Sequence, residues 1–346
     1  MKLLALRLSA LGDVAMTIPI VTSLAQQYPQ LEITFLSKPF VESLFAEMPS
    51  NVKFLGVNVQ NYHGVWGLFR LFIELKKRKY DAVADLHDVL RTKILRKLFR
   101  LTGTQTAYIK KGRKEKQALV RKKHKIMQQL PSSFTRYEEV FKQLGYPVTS
   151  KFHSIYGNKK GETNLFVETT GLPDGKKWIG FAPFAAHKGK ELPTEIVKRL
   201  LQELSAFKNW RIFLFGGGDR ECQLMKSWSE VYSNIEIIAG KLSLNNELSL
   251  MSHLDAMISM DSGNMHLASL VGIPVISIWG ATHPFSGFMG WQQSTDNVIQ
   301  TELVCRPCSV FGNKPCYRGD YACLTKINTQ VIIKKLENII VNNYDS

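Results

Sequence analysis

The sequence predicts an α/β protein built of two Rossmann-like halves, each a doubly wound parallel sheet, and three observations carry that prediction. Short apolar runs alternate with helical stretches along nearly the whole chain. A chain of 346 residues is too long for one ordinary core and suits two domains. A turn-rich stretch containing Gly157, Gly161, Gly171, Pro173 and Gly175 interrupts the alternation near its middle.

In the first half the apolar runs Leu3–Leu8, Ile33–Leu36, Val52–Leu55 and Ala82–Leu86 read as strands, with helices over Val14–Gln27 and Phe40–Ala46. The join falls between Thr149 and Lys177, which gives domains 1–160 and 161–346. In the second half the strands are Trp178–Ala182, Arg211–Phe215, Ile235–Ile238, Ala256–Ser259 and Val275–Trp279. Ile196–Phe207 and Asn246–Ser252 read as helices between them. A last helix, Gln330–Asn342, follows all the strands and is free to pack back on the N-terminal domain.

Hydrophobic content of 45% is that of a globular protein. Arg7 and Asp13 break the apolar character of the first twenty residues, so a strand and turn are expected there rather than a secretory signal. The longest uncharged stretch, Ser262–Thr295, is cut by Gly272, Pro274, Gly280, Pro284 and Gly287 and reads as no membrane span. A cytoplasmic protein without its own anchor is expected.

Net charge is +16, and residues 91–125 carry fourteen Lys and Arg against Glu115 alone. Such a density attracts a phosphorylated substrate, an anionic membrane surface or nucleic acid. Nucleic acid is disfavoured, because no RNA-recognition signature, zinc-finger spacing or interleaved aromatic platform accompanies the run. Leu90, Ile94, Leu95, Leu98 and Phe99 can form the apolar side of a basic amphipathic helix, which faces either a membrane or the helix's own domain.

Four loops that follow predicted strands hold the polar groups suited to chemistry. In doubly wound sheets ligands gather at the carboxyl ends of strands. Asp261, Ser262 and Asn264 open a helix whose first amides, near Gly263 and Met265, are then available to a phosphate, with Ser262 and His266 as added donors; the competing reading is an ordinary N-cap. Lys188 and Lys190 lie after Trp178–Ala182 and can neutralise a diphosphate. Glu221 or Asp219, after Phe215–Gly218, can hold ribose hydroxyls; the competing reading is a flexible loop with Asp219 as an N-cap. Asp13 follows the first strand, where it serves as a general base or as an N-cap. The single glycine in its turn, Gly12, lacks the spacing of a dinucleotide fingerprint and argues against a nicotinamide enzyme. Cys305, Cys308, Cys316 and Cys323 fall within 19 residues and suggest a structural zinc site, with free thiols or a redox-dependent disulfide as alternatives.

Together, RLSALGDVAMTIP at the start, DLHDVLRTK at 85–93, FAPFAAHKGKELP at 181–193, FGGGDRE at 215–221 and MDSGNMHLASLVGIPVISIWGATHP at 260–284 resemble the bacterial heptosyltransferases of lipopolysaccharide core assembly, glycosyltransferase family 9. The resemblance implies a GT-B fold, with the two Rossmann-like domains facing each other across a cleft and ADP-heptose carried by the C-terminal one. It implies Asp13 as catalytic base for an inverting, metal-independent transfer of heptose or a related sugar to a lipopolysaccharide inner-core or lipid A-linked acceptor. Donor contacts would come from Lys190, Glu221, Asp261, Ser262, Gly263, Met265 and His266. Arg91, Lys110, Lys111, Arg113 and Lys114 would face the anionic, lipid-linked core oligosaccharide, at the inner face of the inner membrane. Leu192, Ser262, Asn264 and His87 depart from the family's usual Trp, Thr, Pro or small residue, and Gln. The alternatives are a GT-B-shaped nucleotide-sugar epimerase and a non-catalytic basic protein of membrane surfaces.

Overall fold

The computed structural model describes residues 1–342. The chain separates into two compact units, one of residues 1–111 with 131–155 and the other of 112–130 with 156–346. The segment 112–130 therefore belongs to the second unit, an excursion that a single join near residue 160 does not anticipate.

The first unit holds five parallel strands, β1 (Lys2–Leu6), β2 (Glu32–Ser37), β3 (Val52–Gly56), β4 (Ala82–Asp85) and β5 (Gln105–Tyr108), in the order β3-β2-β1-β4-β5. β1 and β4 are adjacent and in register from Leu3 opposite Ala82 to Leu6 opposite Asp85. Helices Gly64–Lys76 and Leu90–Leu101 pack on each other and on one face, where Leu71, Phe72, Leu75, Leu95 and Phe99 share a core with Leu4, Leu6 and Val83. Helix Ser133–Gln143 packs on β4, β5 and helix Ile18–Gln27. The predicted helix over 14–27 is two helices, Leu11–Ala15 and Ile18–Gln27, and Phe40–Ala46 is a 3-10 helix, Pro39–Phe45. Ile18–Gln27 and Pro39–Phe45 both begin with a proline in the first turn, where the missing N–H costs nothing.

The second unit holds β6 (Lys177–Ala182), β7 (Trp210–Leu214), β8 (Ile235–Ile237), β9 (Ala256–Met260), β10 (Val275–Trp279) and β11 (Val298–Gln300), in the order β11-β10-β9-β6-β7-β8 and all parallel. β9 and β10 are buried along their whole length, as strands covered on both faces must be. The last helix, Thr329–Asn342, lies in this unit, packed on helix Thr194–Ser205 and on β9 and β10. Its Ile332, Leu336 and Ile340 recur at helical spacing and supply the apolar face that fixes it there.

Among the described residues no helix is long and apolar enough to cross a membrane.

Candidate active site

In each sheet the direction of winding reverses once. In the first unit β1 leads outward to β2 and β3, and the chain then crosses to β4 on the other side of β1. In the second the same reversal separates β6 from β9, with Ala182 opposite Ser259 at the carboxyl ends. Crevices at such reversals are where open α/β sheets bind ligands.

At the first reversal the polypeptide leaving β1 carries Arg7 and Asp13. Arg7 is 6% exposed, and each of its three guanidinium nitrogens has a partner. Nη1 donates to the Leu86 carbonyl (2.6 Å), Nε donates to the Ser9 carbonyl (3.1 Å), and Nη2 lies 2.7 Å from Asp13 Oδ2. Burial opposes the Arg7 charge, and Tyr137 and Asp13 more than offset it, so its pKa rises. Asp13 is not the N-cap of its helix. Ala10 holds that position, and Asp13 Oδ2 accepts the Ala10 N–H from within the first turn (3.3 Å), as the acidic half of a capping box does. The carboxylate is about one third exposed, so it is both fixed and reachable.

Across the reversal, β4 ends at Asp85, which is fully buried. It accepts the N–H groups of His87 (3.0 Å) and Asp88 (2.8 Å) and an Arg96 bond of 2.8 Å, and burial still raises its pKa. His87, the departure from the family's Gln, turns inward. Leu8 N–H donates to its Nδ1 at 3.3 Å, which leaves the ring proton on Nε2. Burial first, and then the charges of Arg7 and Lys111, push its pKa down to about 3. The neutral ring thus adds stability fully above its ordinary value of 6.5 and loses it as pH falls toward 3. Thermal melts of His87→Gln across that window should therefore show a smaller fall in Tm than the parent; identical slopes would remove His87 as the titrating group.

Arg91 is exposed at the second position of helix Leu90–Leu101, beside the carboxyl end of β4. Of the other basic residues, Lys93 and Arg96 are paired with Asp88 and Asp85, and Leu95 and Phe99 bury the helix's apolar side in its own domain. Lys110 is exposed and Lys111 half-buried in the first unit, whereas Arg113 and Lys114 are exposed in the second. The run of positive charge is thus divided between the two units. Lys116 is buried over the Phe288 ring, 4.0 Å from its centroid, and Lys125 Nζ donates to the carbonyls of Cys305 (2.6 Å) and Pro307 (2.7 Å).

At the second reversal three neighbouring strands deliver the predicted donor residues. β6 leads to Lys190, β7 to Glu221 and β9 to Asp261 and Ser262. Lys190 Nζ stands 3.0 Å from Asp261 Oδ2, with the carboxylate almost wholly buried. Ser262 is the N-cap of helix Gly263–Leu270, but its hydroxyl makes no capping bond; Oγ instead lies 3.4 Å from Ser259 Oγ. The first amides of this helix, those of Gly263 and Met265 among them, therefore lack the side-chain acceptor that an ordinary N-cap supplies, and they sit at the positive end of the helix dipole. Met265 and His266 are buried in its first turns; the Met265 side chain points into the core and leaves its backbone N–H as the group available to a ligand. Glu221 Oε2 accepts the Gly217 N–H at 2.9 Å, and burial raises its pKa. A Cβ on Gly216 would come within 2.8 Å of that carboxylate, so a larger residue there would push Glu221 aside.

The cysteine segment supports this site in a way its spacing does not reveal. Arg306, 5% exposed, donates to the carbonyls of Trp279, Gly280, Thr282 and Thr301 and pins the segment to the loop after β10. Gly312, at φ +74°, packs so closely that a Cβ there would overlap Cγ and Cδ of Lys190. Gly312→Ala should accordingly displace Lys190 and raise the donor KM by about tenfold or more, while an unchanged KM would mean the lysine tolerates the shift. Among the described residues no three His, Cys, Asp or Glu side chains form a group that could hold a metal ion. Cys305, Cys308, Cys316 and Cys323 form no such group and no disulfide in this structure. Burial keeps the Cys308 thiol above its ordinary value and that of Cys323 at about 11.

The profile of glycosyltransferase family 9 (heptosyltransferase) matches residues 68–315, most of the chain. The chain belongs to glycosyltransferase family 9. This family 9 chain is 25% identical to lipopolysaccharide heptosyltransferase 1 of Escherichia coli, over 98% of its own length and 100% of the relative's. It is 21% identical to lipooligosaccharide heptosyltransferase 2 of Campylobacter jejuni, over 96% and 97%. Its fold matches the family 9 glycosyltransferase of Veillonella parvula with a TM-score of 0.73, 20% identity and coverage of 99% and 97%. It matches the ADP-heptose LPS heptosyltransferase II of Escherichia coli with a TM-score of 0.72, 18% identity and coverage of 99% and 100%. The architecture is of GT-B type, and the family 9 chain is a glycosyltransferase, which sets aside the non-catalytic alternative.

Proposed function

We propose that this glycosyltransferase moves heptose from ADP-heptose to the anionic, lipid-linked core oligosaccharide of lipopolysaccharide, with inversion at the anomeric carbon. The observation that carries the donor half is the Lys190–Asp261 pair standing beside a helix start that no side chain caps. The diphosphate binds the amides of Gly263 to Met265 with Ser262 and His266, Lys190 turns to it, and Asp261 is left toward the sugar. Glu221 holds the adenosine ribose. Asp13 takes the proton of the acceptor hydroxyl as that oxygen bonds to the anomeric carbon and the bond to the diphosphate breaks. The negative charge of the departing ADP is met by Lys190 and the helix amides, without a catalytic metal. Arg91, Lys110, Lys111, Arg113 and Lys114 face the acceptor's phosphates and acidic sugars, and the enzyme works in the cytoplasm at the inner face of the inner membrane.

The names of its relatives support the sugar and the acceptor. A thermal-shift comparison of ADP, UDP, GDP and CMP followed by mass spectrometry of heptose-free core lipid incubated with ADP-heptose tests both. Stabilisation by ADP alone and a mass gain of one heptose are expected. No mass gain with an ADP-stabilised enzyme would assign another sugar or acceptor.

A further inference from the structure

Helix Gly64–Lys76 is apolar on two sides, and only one of them is used. Leu68, Leu71, Phe72 and Leu75 are buried against the sheet and the neighbouring helix. Val65, Trp66, Phe69 and Ile73 are all exposed, Trp66 by 85%, and at about 100° per residue they fall within an arc of about 100° on the helix. Leu90, 75% exposed, opens the helix packed beside it. A monomeric protein rarely leaves such a group in water without a use for it.

Charge says what covers the face. Helices Gly64–Lys76 and Leu90–Leu101 contain seven Lys and Arg and one acidic residue, Glu74, so an anionic partner is favoured and a neutral or acidic protein surface gains nothing comparable. Lys76, Lys97 and Arg100 are exposed on these helices. A tryptophan and aliphatic tips on helices that also carry such cations match the interfacial region of an anionic bilayer. Position agrees with this. Because every strand of the sheet is parallel, both helices begin at its carboxyl edge, where Asp13 and His87 lie, so Val65, Trp66 and Leu90 stand at the edge to which an acceptor must come.

We infer that the Val65–Trp66–Phe69–Ile73 face, with Leu90, seats this enzyme on anionic phospholipid, its aromatic and aliphatic tips at the level of the headgroups. The acceptor's lipid nature is the one premise taken from the proposed function.

Vesicles of phosphatidylethanolamine with phosphatidylglycerol, and vesicles of phosphatidylcholine alone, are incubated with the whole enzyme and sedimented. The parent should sediment with the anionic vesicles, and Trp66→Ser/Phe69→Ser should partition about tenfold less, with ADP-induced thermal stabilisation unchanged as proof of fold. Bromine-labelled acyl chains should quench the parent's fluorescence, and Trp66→Tyr should lose most of that quenching. Equal partitioning of parent and double variant would overturn the proposal. So would a parent that ignores vesicles and self-associates through this face, shown by a dimer in sedimentation velocity that the double variant loses. ADP stabilisation reads the donor site independently, so failure on vesicles with ADP binding intact refutes the docking face alone, and the converse refutes the donor reading alone.

Discussion

Asp13→Asn should lower the transfer rate by about two to four powers of ten while ADP still stabilises the enzyme as it does the parent. Asparagine keeps the size of the side chain and can still accept the Ala10 N–H, so the loop after β1 is retained. It cannot take a proton. Arg7 loses a charged partner but keeps its bonds to the carbonyls of Leu86 and Ser9, which limits the structural cost. A single-turnover assay of ADP release with saturating acceptor separates the chemical step from binding. Turnover near the parent's would remove Asp13 as the base.

Replacement of Lys190 should have the second largest effect, in two separable parts. Asp261 is 3% exposed, and removing the cation from a buried pair costs about 3–5 kcal/mol. Lys190→Met should therefore melt well below the parent, by about 10 °C for a chain of this size. Lys190→Met combined with Asp261→Asn removes both charges and should recover most of that loss. Activity should not recover, because stabilisation of a leaving diphosphate is worth about two to three powers of ten. If the double variant regains activity together with its Tm, Lys190 serves only to neutralise Asp261.

Most of the sheets could be read from the sequence because their central strands are unbroken apolar runs: β1, β4, β6, β9 and β10 were all legible as such. β5 and β11 were not. Gln105–Tyr108 and Val298–Gln300 are short edge strands with polar residues, and at that length periodicity carries no signal. The loops that bear Asp13, Lys190, Glu221 and Asp261 could be placed because each follows a strand. Their partners could not. Arg7 lies six positions before Asp13 and reads as an ordinary strand end, and only the fold shows it buried among carbonyls. Lys190 and Asp261 are far apart in sequence, so nothing local announces that they pair. Gly312 sits among cysteines that invite a metal reading, and its contact with the stem of Lys190 appears only when the segment is folded.

The excursion of residues 112–130 into the second unit has a consequence for synthesis on the ribosome. Residues 131–155 complete the first unit, so that unit can close as soon as they emerge. The second cannot. Lys116 waits for Phe288 and Lys125 for Cys305, which follow them by more than 150 positions. At bacterial elongation rates that interval is on the order of ten seconds. During it a strongly cationic stretch hangs from an already folded neighbour, exposed to chaperones, to nucleic acid and to the membrane surface before its own core exists.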